Sequence, residues 1–279
     1  MKIYKLANIV AIPFFILLMA LGYLAYQFPW SNYLVWVIFP VSSLILIYLF
    51  SPQINYWWLC KHPIKLDQQV INMLNKTNPI YSTLNDERKL EFNNRLALFI
   101  EGKDFLAKGM EKDNNEVPYD IRSLISQIPV TMTLNRPDFQ WHKFERIVLY
   151  KHPFPSPRFK FLHTAETEAE DGVVILSLEH VEKALFQRGL HYDVAWHAYA
   201  EAFIKGHPKI SYPNLPADIW ERIETVSPQS KEQIHGTLGY KAVDALPVLI
   251  NLYFNYGEKV RNEFPELVKD FDQIFQSKV

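Results

Sequence analysis

Apolar residues run uninterrupted by charge from Ile9 to Tyr26 and again from Tyr33 to Phe50, and beyond Phe50 the chain changes to periodic alternation of apolar and polar positions. Each run holds about 18 residues, close to what a hydrocarbon core of ~30 Å requires, so both read as membrane spans. The link from Gln27 to Asn32 carries Pro29 and Trp30, a turn-former and an interfacial aromatic, which predicts a hairpin over residues 1–52 with both ends on one side. Tyr56, Trp57 and Trp58 then fall at headgroup level. Pro13 and Pro40 lie within the runs and are tolerated in lipid-embedded helices. The competing reading is a cleaved signal peptide over residues 1–25, but the apolar run is long for such a segment and a second follows at once.

After the hairpin, residues 53–80 read as a juxtamembrane linker with a short helix in 66–80. Asn85 is placed to cap a helix from Asp86 to Ile100, whose Leu90, Phe92, Leu96, Ala97 and Phe99 form an apolar side and which Gly102 ends. Pro118 opens a second helix through Leu124 that Pro129 kinks or ends. Arg146 to Tyr150 and Val173 to Leu176 are apolar and β-branched enough for strands, separated by a proline-rich loop from His152 to Pro157. From there the pattern is helical over about 178–188, 192–205, 217–226, 241–255 and 257–276. A small sheet followed by a helical half predicts an α+β domain over residues 81–279.

Charge narrows the function classes. Lys2 and Lys5 are the only charged residues among the first fifty, and removing them from the 29 basic residues leaves 27 against 30 acidic ones. A chain that displaces condensed counterions from nucleic acid needs a basic excess, which this one lacks. Lys2 and Lys5 before the spans, and Lys61, His62 and Lys65 after them, put both flanks on the cytoplasmic side by the positive-inside bias. The lone Cys60 excludes an internal disulfide and a cysteine-rich metal cluster.

Candidate chemistry lies in the segment Asp193-Val194-Ala195-Trp196-His197-Ala198-Tyr199-Ala200-Glu201. His197 and Glu201 stand four apart, on one face of a helix, a spacing that suits two ligands of one metal and equally a hydrogen-bonded pair. His-Glu-x-x-His zinc peptidases place two imidazoles at that spacing, with the intervening glutamate as base for the bound water. Tyr240 is a candidate hydrogen-bond donor to a transition state, and a packed helix-start tyrosine in the plainer reading. His191 and His207 flank the motif helix as substitute ligands or simple loop and cap histidines.

Between residues 80 and 275 the order of elements resembles the Mlc titration factor A family of zinc-dependent peptidases. The helix from Leu84 to Gly102, the proline-led helix from Tyr119, the strand from Phe144 to Tyr150 and the Val-Leu-Ser turn at Val174 to Ser177 match it in sequence. The family's His-Glu-Phe-Ala-His corresponds to His197, Ala198, Tyr199, Ala200 and Glu201. A later helix of that family, whose first glutamate ligates zinc, resembles Asp244 to Phe254, and Asn262-Glu263-Phe264-Pro265-Glu266-Leu267 is similar to its closing segment. The resemblance implies a zincin-like fold with His197, Glu201 and Asp244 as the metal ligands, a set acceptable to zinc or to a harder ion such as manganese. It also implies that the general base has become Ala198, which accepts no proton. Pro247 is expected to disturb the helix one turn back, near Val243 and Asp244.

These readings predict a bacterial cytoplasmic-membrane protein with a cytoplasm-facing, catalytically impaired zinc-peptidase domain that acts by binding a protein, as the family's namesake binds a transcriptional repressor. The alternatives are an active metallopeptidase on a peptide substrate, with a carboxylate such as Glu221 or Glu224 as base, and a metal-free structural protein of the membrane.

Overall fold

The computed structural model describes residues 6–28, 32–62, 64–109 and 116–276, and the chain divides into two compact units at Ile64/Lys65. In the first unit, α1 (Leu6–Gln27) is followed by α2 (Tyr33–Trp36), α3 (Ile38–Leu49) and α4 (Ser51–Lys61). The expected hairpin turn at Pro29 and Trp30, and the flanking Lys2 and Lys5, lie outside the described residues.

α1 runs through Pro13 for 22 residues, about 33 Å at 1.5 Å per residue, and is long and apolar enough to cross a membrane. Phe15, Ile16 and Met19 on it are exposed, a surface suited to lipid. The second apolar run is not one straight span. Its first turn, α2, stops at Trp36, four residues before Pro40, where the proline ring meets the preceding carbonyl and the amide is missing. α3 ends before Pro52 in the same way, and α3 and α4 are bent 64° apart. At 12 residues, about 18 Å, α3 alone is shorter than a bilayer core. Phe14 packs on Phe39 with ring centroids 6.1 Å apart, and Asn55 Oδ1 accepts from the Ala7 amide at 3.0 Å, so α1 is held by both α3 and α4.

In the second unit the segment expected as a linker is largely helical. α5 (Gln68–Thr77) and α6 (Pro79–Thr83) are N-capped by the Asp67 and Asn78 side chains, and they bury Val70, Leu74 and Tyr81 in the main core. α7 (Asp86–Glu101) starts where Asn85 accepts from the Arg88 amide and ends at Gly102, as the capping pattern predicts. α8 (Tyr119–Met132) does not stop at Pro129. The proline falls in its last turn, so a single main-chain bond is given up, and ten consecutive residues from Ser123 to Met132 are buried.

Four strands form one mixed sheet in the order β1-β2-β4-β3: β1 (Asp104–Lys108), β2 (Arg146–Tyr150), β3 (Ala165–Glu168) and β4 (Val173–Ser177). β1, β2 and β4 are parallel, and β3 pairs antiparallel with β4, Ala165 opposite Leu176 and Glu168 opposite Val173. β2 and β4 are the two expected strands, whereas β1 and β3 carry too many polar residues to stand out by pattern.

The helical half comprises α9 (Leu178–Phe186), α10 (Val194–Gly206), α11 (Ile219–Val226), α12 (Lys231–Leu238), α13 (Ala245–Asn255), α14 (Gly257–Glu263) and α15 (Pro265–Phe275). α12, opened by a capping box of Ser230 and Gln233, is an element the apolar pattern does not indicate. Pro265 splits the last expected helix in two. α10 packs against β3, β4 and α13, and Val194, Ala195, Tyr199, Ala202 and Phe203 are all buried there. The described residues are thus mostly helical with a small mixed sheet, in keeping with an α+β domain.

Candidate functional site

α10 starts at Asp193, whose carboxylate accepts from the amides of Ala195 and Trp196. The Asn251 amide on α13 donates to the Asp193 carbonyl at 3.1 Å, which fixes where α10 begins. Four residues on, His197 is 93 % removed from solvent, and its Nδ1 shares a hydrogen bond of 2.9 Å with the buried Tyr192 hydroxyl. Burial pushes its imidazole down to about 4, against the opposing pull of Glu201 and Asp244, so it is neutral near pH 7.

His197, Glu201 and Asp244, the implied metal ligands, and Tyr240, the candidate donor, line one cavity of about 180 Å³. Glu166, Lys205 and Arg158 line it too, and none of the three is apparent from the motif. Tyr240 is set by Gly239, the left-handed cap of α12 at φ 84°. A Cβ at Gly239 would come within 2.5 Å of the Leu162 carbonyl, so the bare backbone lets the 162–164 segment close onto the helix end. Thr164 then bonds the carbonyls of Leu238 and Thr237, and the Tyr240 hydroxyl donates to the Ala165 carbonyl at 2.8 Å. Burial raises the Tyr240 phenol well above its usual value, with Glu166 and Glu201 adding to the rise, so it remains a proton-bearing donor. Its proton is already engaged by the backbone.

The carboxylates are committed as well. Glu201 Oε1 is 3.0 Å from the Lys205 Nζ, one turn on along α10, and the same ammonium donates to the Thr167 carbonyl on β3 at 2.7 Å. Asp244 is the N-cap of α13, accepting from the Leu246 amide at 3.1 Å, in extended backbone at φ −70°, ψ 133°. It therefore precedes the helix on which the expected third ligand would sit. Pro247 falls in the first turn of α13, where its missing amide has no helical partner to lose, so the expected disturbance near Val243 does not arise. Glu166 is buried on β3 and accepts from or shares a proton with His163 Nε2 at 3.0 Å, and His163 has no solvent exposure.

The remaining sequence candidates fall elsewhere. His191 bonds Gln187 at 2.7 Å on the surface, and His207 closes α10 by bonding Phe203 O and Asp138. Glu221 and Glu224 are exposed on α11 and do not line the cavity, and Glu224 accepts from the Lys231 amide. Ala198 is fully enclosed, and its carbonyl accepts from the Thr167 hydroxyl at 3.1 Å.

His197 and Glu201, one turn apart on a buried helix and facing a polar cavity, have the spacing at which a His-Glu-x-x-His peptidase carries its two imidazoles. The chain matches the model of the glucose-regulated metallo-peptidase M90 family over residues 57–203, more than half its length, and belongs to that family. The matched region ends inside α10 and includes His197, Ala198 and Glu201. A search of curated proteins finds no match.

Zinc is the ion such a family implies, and the donor set present does not fit it as arranged. Of three ligands, Glu201 is paired with an ammonium and Asp244 caps a helix. Among the described residues, no three His, Cys, Asp or Glu side chains are grouped so as to hold a metal ion.

Proposed function

We propose that this is a membrane-anchored, catalytically impaired member of the metallopeptidase family, which acts by binding a regulatory protein or a peptide rather than by cleaving it. The observation that carries this reading is Ala198: beside the one imidazole retained from the motif stands an enclosed methyl group in place of a proton acceptor. General base catalysis contributes typically ~10²- to 10⁴-fold, and the position that would supply the base on α10 carries no proton acceptor. The pairing of Glu201 with Lys205 supports the same conclusion.

Anchoring is proposed through α1 and a return leg formed by the bent pair α3–α4, so that the membrane element runs past residue 52 to the end of α4 at Lys61, ahead of the peptidase-like domain. The end of α4 has the composition of an interface: Trp57 and Trp58 are exposed, Lys61 lies 4.3 Å from the Trp57 ring, and Trp58 stacks on His62 at 3.7 Å. With Lys61 and Lys65 on this flank, the domain faces the cytoplasm.

A second reading, a working peptidase, is favoured by one observation: the buried Glu166 carboxylate opens onto the same cavity as His197. Hydrolysis of casein-like and short chromogenic peptides by the full chain in detergent separates the two. The expected result is no turnover above that of a His197→Ala variant, with or without added zinc. Chelator-sensitive cleavage that disappears in Glu166→Gln would establish the second reading instead.

A further inference from the structure

Lys205 is one of the cavity residues that the motif does not call for, and three features of its setting define a role. Its Nζ lies 3.0 Å from Glu201 Oε1, one helical turn away, against the carboxylate that the motif would offer to a metal. The ammonium also donates to the Thr167 carbonyl at 2.7 Å, so it is fixed to β3 as well as to its own helix. Thr167 in turn donates from its hydroxyl to the Ala198 carbonyl at 3.1 Å. One strand residue therefore brackets α10 from Ala198 to Lys205 and holds the lysine in place.

We propose that the Lys205 ammonium neutralises Glu201 in place of a metal ion and excludes a divalent cation from His197 and Glu201, while Arg158, the other cation lining the cavity, pairs with Glu168. The inference rests on the impaired-peptidase reading and adds the residue responsible for the loss of metal. A divalent ion at Glu201 would have to displace a hydrogen-bonded ammonium or sit within a few ångströms of it, and like charges at that separation in a partly buried site repel strongly. Glutamate followed four residues later by lysine on a helix is a pair in which each member satisfies the other without an external ligand.

Cobalt(II) binding tests this on the full chain in detergent, read by its d–d absorption and by competition with zinc. Lys205→Met, which keeps the aliphatic stem and removes the charge, is expected to bind cobalt(II) about 10- to 100-fold more tightly than the wild type, the size of effect that outer-sphere partners have on metal sites. Adding His197→Ala to that variant should abolish the gain. If Lys205→Met folds, as shown by its thermal melt, and binds no more tightly than the wild type, the lysine does not exclude the metal and the proposal fails. If Lys205→Met does not fold, Glu201→His carries the test: it restores a His-x-x-x-His pair but retains the ammonium, so it should still bind cobalt(II) poorly, and tight binding would overturn the proposal. Peptide cleavage by the wild type would instead sink the impaired-peptidase reading, an outcome distinct from a silent Lys205→Met.

Discussion

Ala198→Glu is expected to destabilise the protein by about 3 to 5 kcal/mol and to leave it without peptidase activity, although it rewrites the motif toward His-Glu. Ala198 has no solvent exposure, belongs to the main core, and is absent from the lining of the cavity that His197 and Glu201 share. A carboxylate added there meets packed side chains. It must either overpack the core or take up a proton to lose its charge, and both are unfavourable. Helix α10 has little freedom to yield, because the Thr167 hydroxyl bonds the Ala198 carbonyl and Asn251 holds the helix start. Chemical unfolding followed by tryptophan fluorescence reports the change, with Trp196 on α10 stacked on Phe254 at 5.1 Å as a local probe. A variant as stable as the wild type and newly active on peptides would show that the position beside His197 still opens onto a working site.

Acidification is expected to remove on the order of 3 kcal/mol of stability through His197 alone. In the unfolded chain its imidazole protonates near 6.5, whereas burial in the folded chain holds it neutral down to about 4. Between those values the unfolded state binds the proton and the folded state does not, so the contribution is intact above pH 6.5, declines as pH falls, and is fully lost below about 4. Asp193 acts in the opposite sense. Burial raises its carboxyl to about 6, against the Trp196 and Ala195 amides, so the folded state gains a proton there as pH falls through that value. Comparing wild type with His197→Gln at each pH cancels the Asp193 contribution to first order. The stability difference between the two should shift against the wild type by the stated amount from pH 7.5 to pH 4. A difference independent of pH would mean that the imidazole is solvated, not enclosed against Tyr192.

Where local rules decide the outcome, the sequence was readable. Asn85, Gly102 and the four-residue spacing of His197 and Glu201 each act within one or two helical turns, and the structure has them as the pattern requires. Pro40 and Pro265 are equally legible in kind: Pro40 is expected to be tolerated within one span, yet α2 ends one turn before it, and Pro265 lies inside the single helix expected over 257–276, yet it opens α15. Other features depend on contacts remote in sequence. β3 reads Ala-Glu-Thr-Glu, and its polar residues are accommodated because His163 bonds Glu166, α10 receives the Thr167 hydroxyl and Arg158 pairs with Glu168. Asp244 falls inside the helix expected over about 241–255, yet its side chain caps α13 and so marks its boundary. Lys205 had a signal that motif reading passed over: a glutamate four residues before a lysine on a helix is an ion pair before it is half of a metal site.

The metal content of the wild-type chain, purified in detergent without chelator and dialysed against micromolar zinc, bears most directly on the idea that this peptidase fold has exchanged its metal for an internal ion pair. Mass spectrometry should find zinc far below one equivalent and no different from a His197→Ala variant. One tightly held zinc per chain, lost when His197 is replaced, would contradict it.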